Sequence, residues 1–244
     1  MKPLFAKAEP GWQTRWASFE NPAAAKGAGA TRNRGAKGYA YDSIEAGETK
    51  TLLAIDGSGL LCRWWITIND RSPQRLRELR IDVYWDGCGT PAISCPLGDF
   101  FAMSLGRTFV FDSELFASPE GRSFVCTIPM PFRQGARVTV TNESATRLNH
   151  FFYDIDLLAG VEHDPDALYF HAAWRRERLV RHRLFLPRYA GKWLTTAGAR
   201  RGAHGGFAPT GRIGETDDCH TDSIPMCRCF FHLFFGHSRQ PILR

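Results

Sequence analysis

Apolar and polar side chains alternate along several short stretches of this 244-residue sequence, and that pattern restricts the possible folds more than any other feature. In the clearest stretch, Leu79, Ile81, Val83 and Trp85 are separated by Arg80, Asp82 and Tyr84. A period of two residues is typical of a β-strand with one buried face. Further strand candidates, bounded by Gly, Pro, Ser or Asn, are 107–112, 122–128, 136–141 and 149–158. Many short strands with almost no helical pattern predict an all-β protein, an antiparallel β-sandwich of the jelly-roll type.

The same alternation predicts which side chains lie between the two sheets. We expect the inward-facing set to include Leu79, Ile81, Val83, Val138, Val140 and Ile155. Two apolar runs, 52–55 and 60–68, flank the sequence Asp-Gly-Ser-Gly at 56–59. Because a glycine-rich turn between two strands is typical of a β-hairpin, we predict that these runs pair with each other. One helical turn is expected at 72–79.

Changes in composition divide the chain into three parts. Residues 1–44 are predicted to be an N-terminal arm or loop, since 18–42 is rich in Ala, Gly and Lys and lacks the pattern of a buried face. Residues 45–192 contain the strand candidates and are predicted to form the jelly-roll domain. Residues 193–244 are an anomalous tail with little periodicity, whose apolar cluster at 229–235 has no evident partner strand. We interpret the tail as a small second domain or, preferably, as a segment translated out of frame that is poorly ordered.

The distribution of charge argues against a polyanionic partner. The net charge is +6, but residues 179–244 contain 10 Lys or Arg and 4 Asp or Glu, so the excess lies in the tail and residues 1–178 are neutral. We therefore expect no nucleic-acid partner. Neither a signal peptide nor a membrane-spanning stretch is evident, which predicts a cytoplasmic protein without membrane association.

Cysteine usage indicates neither a disulfide framework nor a metal site. Seven cysteines are an odd number, and Cys62 and Cys126 lie in apolar runs where a reduced thiol behaves as a small hydrophobic group. The tail cysteines Cys219, Cys227 and Cys229 lack the paired spacing of zinc ligands. Because Walker and dinucleotide-binding motifs are also missing, we predict no metal and no cofactor.

Several motifs occur in an order and spacing that can be compared with known families. They are Asn-Arg-Gly-Ala-Lys-Gly at 33–38, Gly-Ser-Gly-Leu at 57–60, Trp-Trp-Ile-Thr-Ile at 64–68, Pro-Leu-Gly-Asp-Phe-Phe at 96–101, Ile-Pro-Met-Pro-Phe-Arg at 128–133 and Tyr-Phe-His-Ala-Ala-Trp at 169–174. The strings at 96–101 and 129–132 are the most specific. Over residues 18–192 the chain resembles glycoside hydrolase family 172, also catalogued as domain of unknown function 2961.

This resemblance implies a fold, an activity and an assembly. Members of that family have two β jelly rolls per chain, assemble as trimers or multiples of trimers, and hydrolyse α-D-fructofuranosides or D-arabinofuranosides. As retaining enzymes they use two glutamates, whose carboxyl groups lie about 5–5.5 Å apart. The resemblance places both glutamates in the second jelly roll, in Gly-Glu-Gly-Asp/Glu and Gly-Thr-Gly-Thr-Glu-Asp-Tyr strings.

Neither catalytic string occurs in this sequence, and the nearest one, around Glu215, lacks the flanking pattern. We therefore assign no catalytic residue and leave open whether the chain is an enzyme. The first hypothesis is a truncated furanoside hydrolase that is inactive alone and would form a homo-trimer if complete. The alternative is a non-catalytic jelly-roll module that binds carbohydrate or has a structural role in a trimer.

Five residues are candidates for contacts with a furanoside. Asp99, Phe100 and Phe101 combine an acidic hydrogen-bond acceptor with aromatic faces that could stack on a sugar ring. The alternative for this trio is a capping aspartate beside two core phenylalanines. Asn33 and Lys37 could reach a ligand or a neighbouring subunit from the glycine-rich arm, unless that arm is simply a solvated loop.

Overall fold

The computed structural model of the chain describes residues 9–103, 106–178 and 227–236. Most of the predicted tail, 193–226 and 237–244, lies outside the described residues, as does the string around Glu215. The chain divides into two units, one of residues 1–174 and 230–244 and one of residues 175–229. Apart from the ends of two strands, everything below concerns the first unit.

Two sheets account for the described strands. One sheet contains β1 (Gln13–Ala17), β2 (Asp42–Ile44), β4 (Gly59–Ile68), β7 (Phe111–Asp112), β8 (Phe116–Ser118), β9 (Ser123–Cys126), β10 (Met130–Phe132) and β12 (Leu148–Ala159). Its order is β1-β12-β4-β9-β8-β7, with β10 also beside β4 and β2 beside β12. We call it the eight-stranded sheet.

The second sheet, which we call the six-stranded sheet, has the order β14-β13-β6-β5-β11-β3. Its strands are β3 (Thr49–Asp56), β5 (Leu79–Trp85), β6 (Ile93–Pro96), β11 (Gly135–Asn142), β13 (Tyr169–Arg178) and β14 (Cys227–Gly236). Three short helices complete the described elements: α1 (Arg32–Gly35), α2 (Pro73–Glu78) and α3 (Leu97–Phe100). The predicted helical turn at 72–79 corresponds to α2.

The predicted all-β sandwich is confirmed, and so are its inward-facing residues. Those six side chains are all at most 1% exposed: Leu79, Ile81, Val83, Val138, Val140 and Ile155. The strand pairs formed within residues 13–159 are antiparallel, whereas β13 runs parallel to β6. The alternation predicts the buried face correctly because it depends only on how successive side chains leave a strand.

One continuous core fills the space between the sheets. Its largest members include Trp64 on β4 and Trp85 on β5, both at most 1% exposed. Tyr153 on β12 donates its hydroxyl to the carbonyl oxygen of Leu52 on β3 at 2.8 Å, which joins the two sheets through a buried hydrogen bond. Burying an apolar side chain of this kind stabilises the fold by about 1.5–3 kcal/mol, so the core is the main source of stability.

The predicted hairpin of the runs 52–55 and 60–68 is wrong. These runs belong to β3 and β4, but β3 pairs with β11 in the six-stranded sheet while β4 pairs with β12, β9 and β10 in the other sheet. The turn between them therefore passes from one sheet to the other. A hairpin turn and a turn that connects two sheets can have the same local sequence. Only the strands with which the two runs pair, which are distant along the chain, distinguish the two arrangements.

Two further expectations need correction. The arm at 1–44 is not only a loop, because β1 pairs with β12 and Ala17 and Ala24 are at most 1% exposed. The apolar cluster at 229–235 does have a partner, since β14 lies beside β13. The four described cysteines, Cys62, Cys88, Cys95 and Cys126, are free thiols as expected.

Asp86 connects three segments at one end of the six-stranded sheet. Its Oδ1 accepts the backbone N–H groups of Arg133, Gln134 and Gly135 at 2.9, 2.6 and 3.2 Å, and its Oδ2 accepts the Tyr169 hydroxyl. Burial acts to raise the pKa of this carboxyl, but the hydrogen bonds outweigh it and the pKa lies below its ordinary value. Asp86 also has a positive φ of 54°, a backbone conformation that aspartate and asparagine tolerate.

Replacing Asp86 with asparagine should destabilise the fold by roughly 2 kcal/mol at neutral pH, because charge-assisted hydrogen bonds are lost while the backbone conformation is kept. The lowered pKa means that the stability due to Asp86 is present above the unfolded-state pKa and is lost as the pH falls through the folded-state pKa. The deficit measured by urea unfolding should therefore be larger at pH 7 than at pH 3. Exposed Asp112→Asn is the matched control, and an equal deficit at both pH values would contradict the assignment.

Candidate functional site

The most specific motif, at 96–101, forms the end of β6 and the short helix α3. Pro96 is the N-cap of α3, and Leu97 through Phe100 are all buried. A Cβ atom on Gly98 would lie 2.9 Å from Leu76 Cβ on α2, so the missing side chain lets the two short helices touch. This close approach of α2 brings its side chains over Asp99.

A buried arginine holds α2 in position. Arg75 is 7% exposed, and its guanidinium donates to Asn142 Oδ1 at 3.2 Å and to Thr146 Oγ1 at 2.7 Å. The N-terminus of α2 is capped by Ser72, whose hydroxyl accepts the Arg75 backbone N–H at 3.3 Å. Since Arg75 is anchored to the end of β11 and to the loop that follows it, Arg77, two residues further along α2, is held at a fixed place.

Phe100 and Phe101 extend from α3 into the core. The Phe100 ring stacks on Trp64 with centroids 5.2 Å apart, and the Phe101 ring lies 5.8 Å from Phe124. Both residues are at most 1% exposed, so neither ring presents a face to solvent in this arrangement. Their position is that of core phenylalanines, and a stacking contact with a sugar stays a prediction.

Asp99 contacts α2 and β13. Its carboxylate is 1% exposed, and Arg77 Nε lies 3.3 Å from Oδ2. The Trp174 indole is close enough to affect the carboxylate, yet the indole N–H and both carboxylate oxygens lack a hydrogen bond of normal geometry within the described part of the chain. Asp99 does not cap α3, so the capping alternative is not what the structure contains.

The electrostatic surroundings of Asp99 disfavour its charge. Burial raises the pKa of the carboxyl above its ordinary value, and the Arg77 guanidinium and the Trp174 indole offset only part of that effect. Burial also raises the pKa of the neighbouring Cys95 thiol, with a further contribution from the charge of Asp99. A buried carboxyl group with a raised pKa is a candidate for a functional role, because the surrounding protein does not fully stabilise its charge.

Asn33 and Lys37 lie elsewhere. Lys37 Nζ is 3.1 Å from Asp154 Oδ1 on β12 and 4.5 Å from the centroid of the Trp16 ring. Asn33 is exposed and has a positive φ of 52°. Both are therefore on the arm over the eight-stranded sheet, and the structure does not bring them together with Asp99.

Sequence reasoning missed the two neighbours that define the Asp99 site. Arg77 lies on α2 and carries no local signal, because an arginine on a short helix is ordinary. Trp174 closes the motif at 169–174, but the motif alone does not indicate which strand end it faces. Their contacts with Asp99 join distant segments, which only the folded chain reveals.

Two of the grooves on the surface of the described residues have linings that do not include Asp99. The larger, about 500 Å³, is lined by Trp16, Asn21, Cys62 and Asp156 among others. The smaller, about 310 Å³, lies between residues 38–43 and 147–149. Within the same described ranges, no cluster of three His, Cys, Asp or Glu side chains is placed to hold a metal ion.

Comparison with known proteins agrees with the motifs. The profile of the GH172 domain-like family matches residues 39–155, a segment that covers most of both sheets and the whole of α2 and α3. Residues 39–155 are thus similar to the domain of glycoside hydrolase family 172, and the resemblance that the motifs indicated is confirmed. A search of curated proteins gave no significant match. The helices of the described segments are all too short to traverse a bilayer.

Replacing Asp99 with asparagine should have the opposite pH dependence to that of Asp86→Asn. The folded-state pKa of Asp99 is raised, so ionisation of this carboxyl destabilises the folded protein. This penalty develops as the pH rises through the folded-state pKa. The variant removes this penalty, so its stability relative to the wild type should increase from pH 4 to pH 7. Urea unfolding at both pH values tests this, and a relative stability that falls as the pH rises would show that the carboxylate is well satisfied.

Proposed function

We propose that this chain is the carbohydrate-binding β-sandwich of a furanoside-acting glycoside hydrolase, and that it does not hydrolyse glycosides by itself. The ligands are α-D-fructofuranosides or D-arabinofuranosides. The observation that carries the proposal is a buried carboxylate, Asp99, without a hydrogen bond of normal geometry from the described residues, in the most specific motif of a GH172-like segment.

A buried carboxylate that lacks hydrogen bonds is costly, and a ligand hydroxyl is the kind of donor that would relieve it. Two partly exposed groups lie beside Asp99. The Arg77 side chain is 29% exposed and can donate to sugar oxygens, and the Trp174 ring offers an aromatic surface. In this proposal Arg77 and Trp174 meet the sugar first, and Asp99 accepts a hydroxyl behind them.

The phenylalanines and the arm have supporting roles. Phe100 and Phe101 contribute to sugar binding indirectly, because their packing fixes α3 and so keeps Asp99 in position. Exposed Asn33 and half-buried Lys37 contact the furanoside or the neighbouring subunit from the arm, within the homo-trimer that the family resemblance implies. The absence of hydrolysis follows from the chemistry, because cleavage with retention needs two carboxyl groups about 5–5.5 Å apart.

Three other aspartates of the described residues pair with cations. Asp154 pairs with Lys37 at 3.1 Å and Asp156 with Arg63 at 2.7 Å, while Asp42 pairs with Lys50. The hydrogen bonds and the nearby lysine hold the pKa of Asp42 below its ordinary value, although burial acts in the opposite direction. A carboxyl group whose pKa is lowered, as that of Asp42 is, does not serve as the proton donor of a glycosidase. The two glutamate strings of the family have no counterpart in the sequence.

A structural role in a trimer is the second candidate. Phe109 and Val110 are 45% and 68% exposed, and they precede β7, which lies at the edge of the eight-stranded sheet. An exposed apolar pair beside a sheet edge is typical of a subunit contact. In this role the chain would assemble into a trimer without binding sugar.

Calorimetric titration with fructo- and arabino-furanosides, together with an assay on the corresponding nitrophenyl glycosides, tests the proposal. We expect binding without release of nitrophenol, and about tenfold weaker binding in Arg77→Gln because one charge-assisted contact is lost. Asp112→Asn, an exposed change away from the site, should bind like the wild type. Turnover by the purified chain would contradict the proposal, whereas a trimer that binds no sugar would favour the structural role.

A further inference from the structure

The smaller groove joins the end of the arm to the start of β12. It has a volume of about 310 Å³ and is lined by Gly38, Tyr39, Ala40, Tyr41, Asp42, Ser43, Arg147 and Asn149. This volume is at the lower end of the range of small-ligand pockets, roughly 300–1,000 Å³, and suits a ligand of one ring. Except for Gly38, its lining lies within the GH172-like segment.

One wall of the groove is an exposed aromatic ring. Tyr41 is 45% exposed, which is unusual for a large aromatic residue that also packs against other rings. Its ring centroid is 4.8 Å from that of His150 and 5.0 Å from that of Phe152 on β12. These contacts hold the Tyr41 ring in place while a large part of it remains open to solvent.

Polar groups in the groove are fixed before any ligand arrives. The Asp42 carboxylate pairs with Lys50 and accepts the Ser43 backbone N–H at 2.8 Å. Arg147 donates from Nη2 to Ser43 Oγ at 2.8 Å, and its Nε lies 3.2 Å from Glu45 Oε1. Because each cation has an acidic partner, the groove has no excess of charge that would select a phosphate or an acidic peptide.

We infer that this groove binds a single sugar ring, at a site separate from Asp99. A rigid aromatic face beside planar carboxylate, guanidinium and amide groups matches a sugar, which presents C–H bonds on one face and hydroxyls at its edge. The exposed Asn149 amide and the Arg147 guanidinium would contact the hydroxyls, and Tyr41 would stack on the ring. The inference rests on the proposed carbohydrate-binding function and adds a second binding site to it.

Backbone amide chemical shifts, followed during titration with methyl α-D-arabinofuranoside, methyl α-D-fructofuranoside and methyl α-D-glucopyranoside, distinguish the two sites. We expect at least one sugar to shift the amides of residues 38–43 and 147–149. Tyr41→Ala should weaken this response about tenfold, because a stacked ring is lost, whereas Tyr41→Phe should keep it. Asp112→Asn, an exposed change outside both sites, should leave the response unchanged.

The outcomes separate this inference from the proposed function. Shifts at 97–100 without shifts at 38–43 would overturn the inference and leave the Asp99 proposal standing. Shifts at 38–43 that survive in Asp99→Asn support the inference, even if residues 97–100 never respond. Shifts at 38–43 that follow protein concentration rather than sugar would overturn it, because the groove would then be a contact between copies of the chain.

Discussion

The packing of Phe100 and Phe101 against the rings of the eight-stranded sheet is the interaction on which the Asp99 site depends. Burying each ring stabilises the fold by about 1.5–3 kcal/mol. Asp99 and Phe100 are the last two residues of α3 and Phe101 is its C-cap, so fixing the two rings in the core also fixes the Asp99 carboxylate beside Arg77 and Trp174. The two rings can therefore offset a desolvation penalty that is on the order of a few kcal/mol.

Asp86 and Asp99 demonstrate how surroundings decide what a buried aspartate does. Both are less than a tenth exposed. Asp86 accepts three backbone N–H groups and a tyrosine hydroxyl, and it holds strand ends together as a stable anion. Asp99 has an arginine at 3.3 Å but no hydrogen bond of normal geometry from the described residues, which is an arrangement suited to a ligand rather than to stability.

Local patterns in the sequence predicted the buried faces of the strands, because side-chain alternation needs no knowledge of the partner strand. Pairing was harder. Residues 52–55 and 60–68 looked like a hairpin, yet their partners lie far away along the chain, on β11 and on β12. The candidate site was harder still to predict. Asp99 was selected from its motif as a candidate, but Arg77 and Trp174 reach it from segments 22 and 75 residues away. The groove at Tyr41 had no motif to indicate it.

Within the described residues the buried Asp99 carboxyl has no hydrogen bond of normal geometry, and we propose that a sugar hydroxyl supplies one. Carbon-detected NMR of the aspartate side chains measures this directly, with Asp99→Asn used to assign the Asp99 carboxyl signal. In the free protein its midpoint should lie above the ordinary value of 3.8, and addition of a furanoside should lower it as hydroxyl donors reach the carboxylate. A midpoint at or below 3.8 that a bound sugar leaves unchanged would contradict the account.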